Sequence, residues 1–281
     1  MIKIIGDTLS CIHPDEAKAR GIGYIPQLIQ FGVDTYRDDY EMTPRQFLDK
    51  LRVSAKLPKT AAPPPALYGP LYREYSQQGA VILVLTPSSA VSGTFRSATV
   101  AAADFPNADI RVIDTGIIAG GLGAVLLQAQ DWVEAGLDVE TIVQNVQAMT
   151  LRHRVYFVVD TLTYLQKGGR IGAARALFGS LLQVKPILTF RNGQIEPYES
   201  QRTQRKALAR LKEITLSDCP RGPESRLCLM HGDAEEQARA LAVEFSALLG
   251  IPVERIPIYD LPPAILVHAG PGVLAISYFV A

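Results

Sequence analysis

A run of hydroxyl-bearing residues, 86–94, follows the most apolar stretch of the chain and precedes a predicted helix. Ser88, Ser89 and Ser92 lie in this run, next to Gly93. Backbone N–H groups at a helix start, the positive end of the helix dipole and several hydroxyls together favour an anion-binding cradle. Serine and threonine also cap helices routinely, and the run matches neither a P-loop nor the Gly-x-Ser-x-Gly motif. Four hydroxyls within residues 88–94 favour anion binding over capping alone.

Two other segments place polar side chains at tight turns. Arg170 follows a Gly-Gly pair, and a guanidinium can clamp a carboxylate or phosphate through two parallel hydrogen bonds. A surface arginine beside a capping glycine explains this residue equally well. His268 precedes a Gly-Pro-Gly turn, where its ring nitrogens can bind an anion and accept an orienting bond, although a lone histidine is more often structural.

Lys59 and Thr60 precede three prolines and fall in a predicted loop.

The cysteines and histidines do not form a metal-binding pattern. Cys11 and His13 are one close pair, and Cys228 and His231 are another. Each lacks the second, correctly spaced pair that a closed zinc site needs. We therefore predict no metal and no cofactor.

Composition narrows the class of partner. The chain has 281 residues, 48% of them hydrophobic, and its 28 basic and 28 acidic side chains cancel. This balance gives no electrostatic signature for nucleic acid or for an anionic membrane. An odd, sparse set of three cysteines and the lack of a signal-peptide pattern predict the cytoplasm. The longest apolar run, 117–127, is too short and too rich in glycine to span a bilayer.

Strand and helix patterns alternate through the first half of the chain. Apolar strand-like runs lie at 1–5, 80–85 and 111–114, and the helices that follow are predicted at 94–103, 117–135 and 139–150. Such alternation predicts an α/β layer fold with a mainly parallel sheet over a first domain, 1–152, in which ligands bind beyond the carboxyl ends of the strands. Residues 6–65 are predicted to be irregular, apart from a helix at 43–51.

The second half, 153–281, predicts a mixed α+β domain. Asn192 and Gly193 separate two strand-like runs and predict a hairpin turn. The other predictions are helices at 161–166, 173–182, 204–214 and 234–249, and strands at 154–159, 226–231, 253–259, 266–268 and 275–280.

Basic residues recur at every fourth position near residue 206. Arg202, Lys206 and Arg210 share one face of a helix that begins near Arg202, with Arg205 and Lys212 beside them. A solvated helix face and a docking surface for another protein are both consistent with this basic stripe.

Taken together, these segments resemble the DegV family. The matching segments keep the family's order and cover nearly the whole chain: the first strand with Asp7, Lys59-Thr60, Ser88 to Thr94, Val112 to Thr115, Asp160 to Ile171, Val184 to Leu188, Arg202 onward and His268 to Gly272. Each segment is weak alone, but the Ser-Ser-x-x-Ser-Gly-Thr, Leu-x-x-Gly-Gly-Arg-Ile and His-x-Gly-Pro-Gly blocks are specific as a set.

The resemblance implies two α/β domains with one long-chain fatty acid buried between them, and a carrier rather than an enzyme. It also implies a partner, a fatty acid kinase that phosphorylates the bound acyl carboxylate, without stable insertion into a membrane. By position, Thr60 and Ser92 would hydrogen-bond the carboxylate, close to the Gly93 amide. His268 would complete this head-group network, and Arg170 would lie at its edge.

The sequence departs from the family pattern in three places. Ala61 and Ala62 replace a Ser-Gln pair, Ala269 replaces a threonine, and the segment after Asp7 reads Thr-Leu-Ser. Each change removes a polar group near the expected head group.

The residues also leave an enzyme hypothesis open. An enzyme could act on a small anionic substrate, phosphorylated or acylated, in the same hydroxyl-rich cradle. A triad of Ser92, an aspartate and His268 is disfavoured, because the nucleophile motif is missing.

Overall fold

The computed structural model describes residues 1–177 and 184–281. Its strands, in chain order, are β1 (Ile2–Asp7), β2 (Gly23–Ile25), β3 (Leu28–Phe31), β4 (Asp34–Arg37), β5 (Lys59–Ala61), β6 (Val81–Thr86), β7 (Ile110–Asp114), β8 (His153–Val158), β9 (Lys185–Arg191), β10 (Gln194–Gln201), β11 (Cys228–His231), β12 (Ile258–Asp260) and β13 (Leu274–Phe279). Its α-helices are α1 (Pro14–Ala19), α2 (Pro44–Val53), α3 (Gly69–Gln77), α4 (Thr94–Ala102), α5 (Gly120–Glu134), α6 (Val139–Leu151), α7 (Thr163–Lys167), α8 (Gln204–Asp218), α9 (Glu235–Leu249) and α10 (Pro263–Ala269).

These elements form two compact units. The first consists of Met1–Thr43 and Pro58–Leu151, and the second of Pro44–Leu57 and Arg152–Ala281. The sequence had assigned 1–152 to one domain, so the segment that contains α2 belongs to a different unit from the one expected.

Packing explains the placement of α2. Its buried side chains Phe47, Leu48 and Leu51 recur at helical spacing and form one apolar face. The helix packs against α10, and Arg52 on its polar side lies 2.5 Å from Asp233. An apolar face predicts that a helix is buried, but its sequence does not identify the unit that buries it.

The first unit is built on a parallel sheet with strand order β2-β1-β6-β7. The central strand β6 is a continuous apolar run because both faces of the sheet are covered, and Ile82, Leu83 and Leu85 are fully buried. In a parallel sheet all carboxyl ends meet at one edge, so Asp7 and Thr86 end their strands on the same side. The predicted mainly parallel α/β layer fold is confirmed.

A small antiparallel sheet, β4-β3-β5, completes the first unit and was not predicted. The expectation of irregular chain through residues 6–65 was therefore wrong in part. Thr60 lies on β5, paired with Ile29 of β3, and not in a loop. The strands are short and mix polar with apolar residues, so no sustained alternation identifies them in the sequence.

The second unit contains a six-stranded sheet with order β10-β9-β8-β13-β11-β12. Neighbouring strands are antiparallel except for the parallel pair β11 and β12. The predicted hairpin joins β9 and β10, and Asn192 and Gly193 adopt φ angles of 51° and 74° as a tight primed turn requires. The mixed α+β expectation for this part of the chain is confirmed.

Two strand predictions in the second unit need correction. Residues 266–268 belong to α10, because Pro263 opens a helix that the short apolar run continues. A run this short cannot be assigned to strand or helix from its periodicity. Residues 253–259 form a 3-10 turn, Val253–Arg255, before the short strand β12.

The helix predicted at 173–182 is described only in part. Gly172–Leu177 forms a 3-10 helix rather than an α-helix, and residues 178–183 lie outside the described residues. Among the described helices, none combines the length and the apolar character needed to cross a bilayer.

Candidate functional site

The loop after β6 is fixed by hydrogen bonds to its own turn and to the neighbouring strand. Ser88 is 1% exposed, and its N–H donates to the Ile117 carbonyl at 2.9 Å. The N–H of Ser92 donates back to the Ser88 carbonyl at 3.1 Å, and the N–H of Ser89 donates to Asp114 Oδ1 at 3.2 Å. This loop therefore presents Ser92 at the carboxyl edge of the parallel sheet.

Strand β5 runs next to this loop. A Cβ atom added at Gly93 would lie 3.2 Å from the Cβ of Ala62, so a side chain at this position would press on the residue that follows β5. Gly93 is also the N-cap of α4, and it caps the helix without a side chain. The structure thus brings the segment of Thr60 close to Ser92 and Gly93, and we call these three residues the head-group cradle.

The Ser92 hydroxyl belongs to a buried polar chain. Ser92 Oγ lies 2.8 Å from Thr94 Oγ1 and accepts from the Thr94 N–H at 3.3 Å. The side-chain amide of Gln27 donates to Thr94 Oγ1 at 3.0 Å and to Asp7 Oδ2 at 2.9 Å. We call Asp7, Gln27, Thr94 and Ser92 the Asp7 network.

Asp7 is the most perturbed group of this network. It is 2% exposed, and its Oδ1 accepts from the Leu9 N–H at 3.0 Å. Burial first, and then the nearby Asp38 carboxylate, raise the pKa of Asp7 to about 8. Asp38 itself accepts from the Thr8 hydroxyl and, at 2.8 Å, from the Gln27 backbone N–H. Near neutral pH the Asp7 carboxyl is therefore mainly protonated.

In the second unit, Arg170 and His268 are brought together by a close approach of α10 to the turn after α7. A Cβ atom at Gly168 would lie 2.1 Å from His268 Nδ1, so only glycine fits there. Arg170 Nη1 donates to the Gly168 carbonyl at 2.8 Å. Burial and the Arg170 charge lower the pKa of His268 to about 4, which leaves the imidazole neutral at physiological pH. We call Gly168, Arg170 and His268 the His268 corner.

Steric crowding also explains the two glycines of the Gly-Pro-Gly turn. A Cβ atom at Gly270 would lie 2.3 Å from Tyr164 Cδ2, and one at Gly272 would lie 2.1 Å from Asp160 Oδ2. Two motifs separated by about a hundred residues therefore fit together as one packed unit. His268 lies in the last turn of α10, and not at the end of a strand as the sequence suggested.

The basic stripe is less continuous than its spacing suggested. Helix α8 begins at Gln204 with Thr203 as its N-cap, so Arg202 precedes the helix instead of sharing its face. Arg210 forms two hydrogen bonds of 2.8 Å to Glu199. Arg202 and Lys206 are exposed at the start of the helix.

Gln27 was missed by the sequence analysis. It links Asp7, twenty residues earlier, to Thr94, sixty-seven residues later, and no local pattern marks such a bridge. Asp7 did carry a signal, because a carboxylate directly after an apolar strand lies at the edge where α/β folds bind ligands.

The structure adds two facts about the groups considered for metal binding. The thiols of Cys11, Cys219 and Cys228 are buried and not joined in disulfides. Across residues 1–177 and 184–281, no three His, Cys, Asp or Glu side chains are grouped so that they could hold a metal ion.

A model of a known protein family matches the whole chain. The model described as "Uncharacterised protein, DegV family" matches residues 1–281. Among curated relatives, a DegV domain-containing protein of Streptomyces coelicolor is 35% identical over 282 residues, which cover 98% of this chain and 97% of that protein.

Solved structures resemble the chain over its whole length. One is the structure of a DegV family protein from Thermus thermophilus, which is described as showing fatty acid binding. It superposes with a TM-score of 0.91 at 31% identity, and the match covers 100% of this chain and 99% of that one. DegV from Bacillus subtilis, described as a fatty acid binding protein, gives a TM-score of 0.88 at 31% identity, with the same coverage.

Proposed function

The chain belongs to the DegV family, and we propose that it binds one long-chain fatty acid and presents the carboxylate to a partner fatty acid kinase. The observation that carries this proposal is the head-group cradle, built from hydroxyls and an amide at the carboxyl edge of the parallel sheet. Relatives with similar structures are described as fatty acid binding proteins, which supports the choice of ligand.

The cradle suits a carboxylate on a long apolar tail. Hydroxyl and amide donors satisfy the oxygen atoms without burying a second full charge, so the desolvation cost of the protein's own groups stays small. Thr60 and Ser92 supply hydroxyls, and Gly93 supplies its N–H. In this proposal the neutral His268 completes the head-group site, and Arg170 lies at its edge.

Burial of the tail supplies most of the affinity. About fifteen methylenes at roughly 0.8 kcal/mol each contribute about 12 kcal/mol before the cost of association. Ile117, Leu122 and Leu126 are buried apolar side chains of the first unit, and we assign them to the wall of the tail tunnel.

In this proposal the partner kinase docks on exposed basic side chains at the start of α8. Arg202 and Lys206 are exposed, whereas Arg210 is held by Glu199, so docking is assigned to the first two. Exposed charges at the rim of an interface mainly set the rate of encounter and its salt dependence. The buried, reduced thiols suit a reducing compartment, and we place the protein in the cytoplasm.

The decisive experiment is extraction of the purified recombinant protein with organic solvent, followed by mass spectrometry. We expect about one fatty acid per chain, because a water-filled apolar tunnel is unfavourable. The double variant Thr60→Ala/Ser92→Ala, purified in parallel, should carry less lipid and still fold.

The competing function is an enzyme that acts on a small anionic substrate in the same cradle. Ser92 is bonded to Thr94, and the one histidine of the first unit, His13, bonds to the Asp15 N–H on the surface, so no base next to Ser92 is seen within the described part of that unit. Recovery of stoichiometric phosphorylated metabolites without lipid would overturn the carrier proposal in favour of this enzyme.

A further inference from the structure

Ser92 is connected to a buried carboxyl that it does not touch. The Asp7 network runs from Ser92 Oγ to Thr94 Oγ1 at 2.8 Å, and from Thr94 through the Gln27 amide to Asp7 Oδ2 at 3.0 and 2.9 Å. The Thr94 hydroxyl also interacts directly with the Asp7 carboxyl and favours its ionised form. Asp7, Gln27 and Thr94 are 2%, 3% and 1% exposed, so solvent does not compete for these bonds.

The surroundings of Asp7 favour its protonated form. Burial and the Asp38 carboxylate raise the pKa of Asp7 to about 8. The other titratable groups that interact with it are the phenols of Tyr24 and Tyr68, whose pKa values are raised, so both stay uncharged. Within the described residues, the groups that shift the pKa of Asp7 include no cation. A proton on the Asp7 carboxyl is therefore exchanged close to neutral pH.

The count of donors differs between the two states of Asp7. When the carboxyl is protonated, it donates to Thr94 Oγ1, which also accepts from Gln27. Both acceptor positions of the Thr94 hydroxyl are then filled, and it donates to Ser92 Oγ. Ser92 Oγ already accepts from the Thr94 N–H, so its own proton points away from the network, toward a ligand.

Ionisation of Asp7 reverses this direction. The carboxylate can only accept, so the Thr94 hydroxyl donates to Asp7. Thr94 Oγ1 keeps the bond from Gln27 and gains a free acceptor position, which the Ser92 hydroxyl fills. The Ser92 hydroxyl then donates to Thr94 Oγ1 and not to a ligand. An incoming carboxylate would therefore meet the Ser92 oxygen without a hydrogen-bond donor.

We propose that protonated Asp7 is a positioning residue that directs the Ser92 hydroxyl, through Thr94, toward the carboxylate of the bound fatty acid. This inference rests on the proposed function, since it assumes that the ligand head group binds at Ser92. It assigns to Asp7 and Gln27 a role in ligand affinity that neither has by contact.

The test is the affinity for a fluorescent fatty acid between pH 6.5 and 9.5, a range in which the ligand carboxyl stays ionised and His268 stays neutral. The wild-type dissociation constant should rise about tenfold across this range, with a midpoint near pH 8. In Asp7→Asn, where the group cannot ionise, the dissociation constant should not change with pH. In Asp38→Asn the midpoint should move to lower pH, because one neighbouring negative charge is gone.

Thr94→Val provides a second interruption of the network if Asp7→Asn does not fold, and it should also abolish the pH dependence. A wild-type affinity that does not change with pH, or a dependence that Asp7→Asn retains, overturns the inference and leaves fatty acid binding intact. Failure of the wild-type protein to bind fatty acid at any pH overturns the proposed function itself. The two failures are thus distinguished by one titration series.

Discussion

In each unit of the molecule, burial and a neighbouring like charge keep a titratable side chain uncharged near pH 7, but the two pKa values shift in opposite directions. In the first unit, Asp7 lies near a second carboxylate, Asp38, and burial with this like charge raises its pKa to about 8. In the second unit, His268 lies near Arg170, and burial with this like charge lowers its pKa to about 4. The charged group next to each side chain also differs, with the Asp38 carboxylate in the first unit and the Arg170 guanidinium in the second.

Because the two pKa values shift in opposite directions, protonated Asp7 should be lost at high pH and neutral His268 at low pH. The Asp7 network changes when the pH rises, and the His268 corner changes when the pH falls. Substitutions at Asp7 and at His268 separate the two responses.

The largest effect is expected for Asp7→Asn, measured as the free energy of unfolding against pH. The folded-state pKa of Asp7, about 8, exceeds the value of 3.8 for an unperturbed group, so the folded protein binds the extra proton. The stabilisation that this extra proton gives to the folded protein is complete below pH 3.8 and is lost as the pH rises toward 8. The wild-type stability should therefore decline relative to the variant by about 1.4 kcal/mol per pH unit in this window.

Chemical denaturation at pH 5.5, 6.5 and 7.5 measures this difference. Asp34→Asn, which changes an exposed aspartate of β4 and keeps Asp7, is the matched control and should decline with pH as the wild-type protein does. Equal slopes in the wild-type protein and in Asp7→Asn would show that the pKa of Asp7 is not raised in the folded protein.

His268→Gln should give the mirror image over a narrower window. The folded-state pKa of about 4 lies below the ordinary value of 6.5, so the unfolded chain binds the extra proton. The contribution of neutral His268 to stability is complete above pH 6.5. It is lost as the pH falls toward 4, again by about 1.4 kcal/mol per pH unit relative to the variant. His13→Gln, at an exposed histidine, is the control, and a slope of the same sign as that of Asp7 would contradict this prediction.

A smaller effect is expected for the head-group cradle. Ser92→Ala and Thr60→Ala each remove one donor to the carboxylate and should weaken acyl binding by about 1–3 kcal/mol, with little change in fold. Displacement of a fluorescent fatty acid measures this loss. Ser89→Ala, in the same loop but exposed, should bind normally. Unchanged affinity in both cradle variants would place the head group elsewhere.

The smallest effect concerns exposed charges. Reversal of Arg202 and Lys206 to glutamate should leave fatty acid binding unchanged and slow acyl-phosphate formation by a cognate kinase several-fold at low salt, since rim charges act mainly on encounter. The wild-type rate should fall as salt rises. The variant Arg221→Glu/Arg239→Glu carries the same change in net charge and should keep the wild-type rate. A normal rate for the Arg202 and Lys206 reversal would show that this surface is only solvated.

Much of the fold follows from local sequence. Helix α2 is set by a threonine and a proline ahead of apolar residues at helical spacing, and β6 by an uninterrupted run of branched apolar residues. The hairpin between β9 and β10 is set by Asn192 and Gly193, which tolerate positive φ. These features depend on neighbours within a few residues, which the sequence displays directly.

Other features depend on partners that are distant in sequence. The strand that carries Thr60 is too short to show a period, and it exists because β3 pairs with it. The run at 266–268 is apolar enough for a strand, and it is helical because Pro263 and the packing of α10 against α7 and α2 select that state.

Local sequence patterns specify the alternating α/β order, the hydroxyl-rich loop and the set of motifs that mark the family. Three contacts form only on folding: Gln27 joins Asp7 to Thr94, Gly168 lies against His268, and Arg210 is held by Glu199. The physical reason is that pKa values and hydrogen-bond direction depend on burial and on neighbouring charges within a few ångströms, and these neighbours come from segments far apart in the chain.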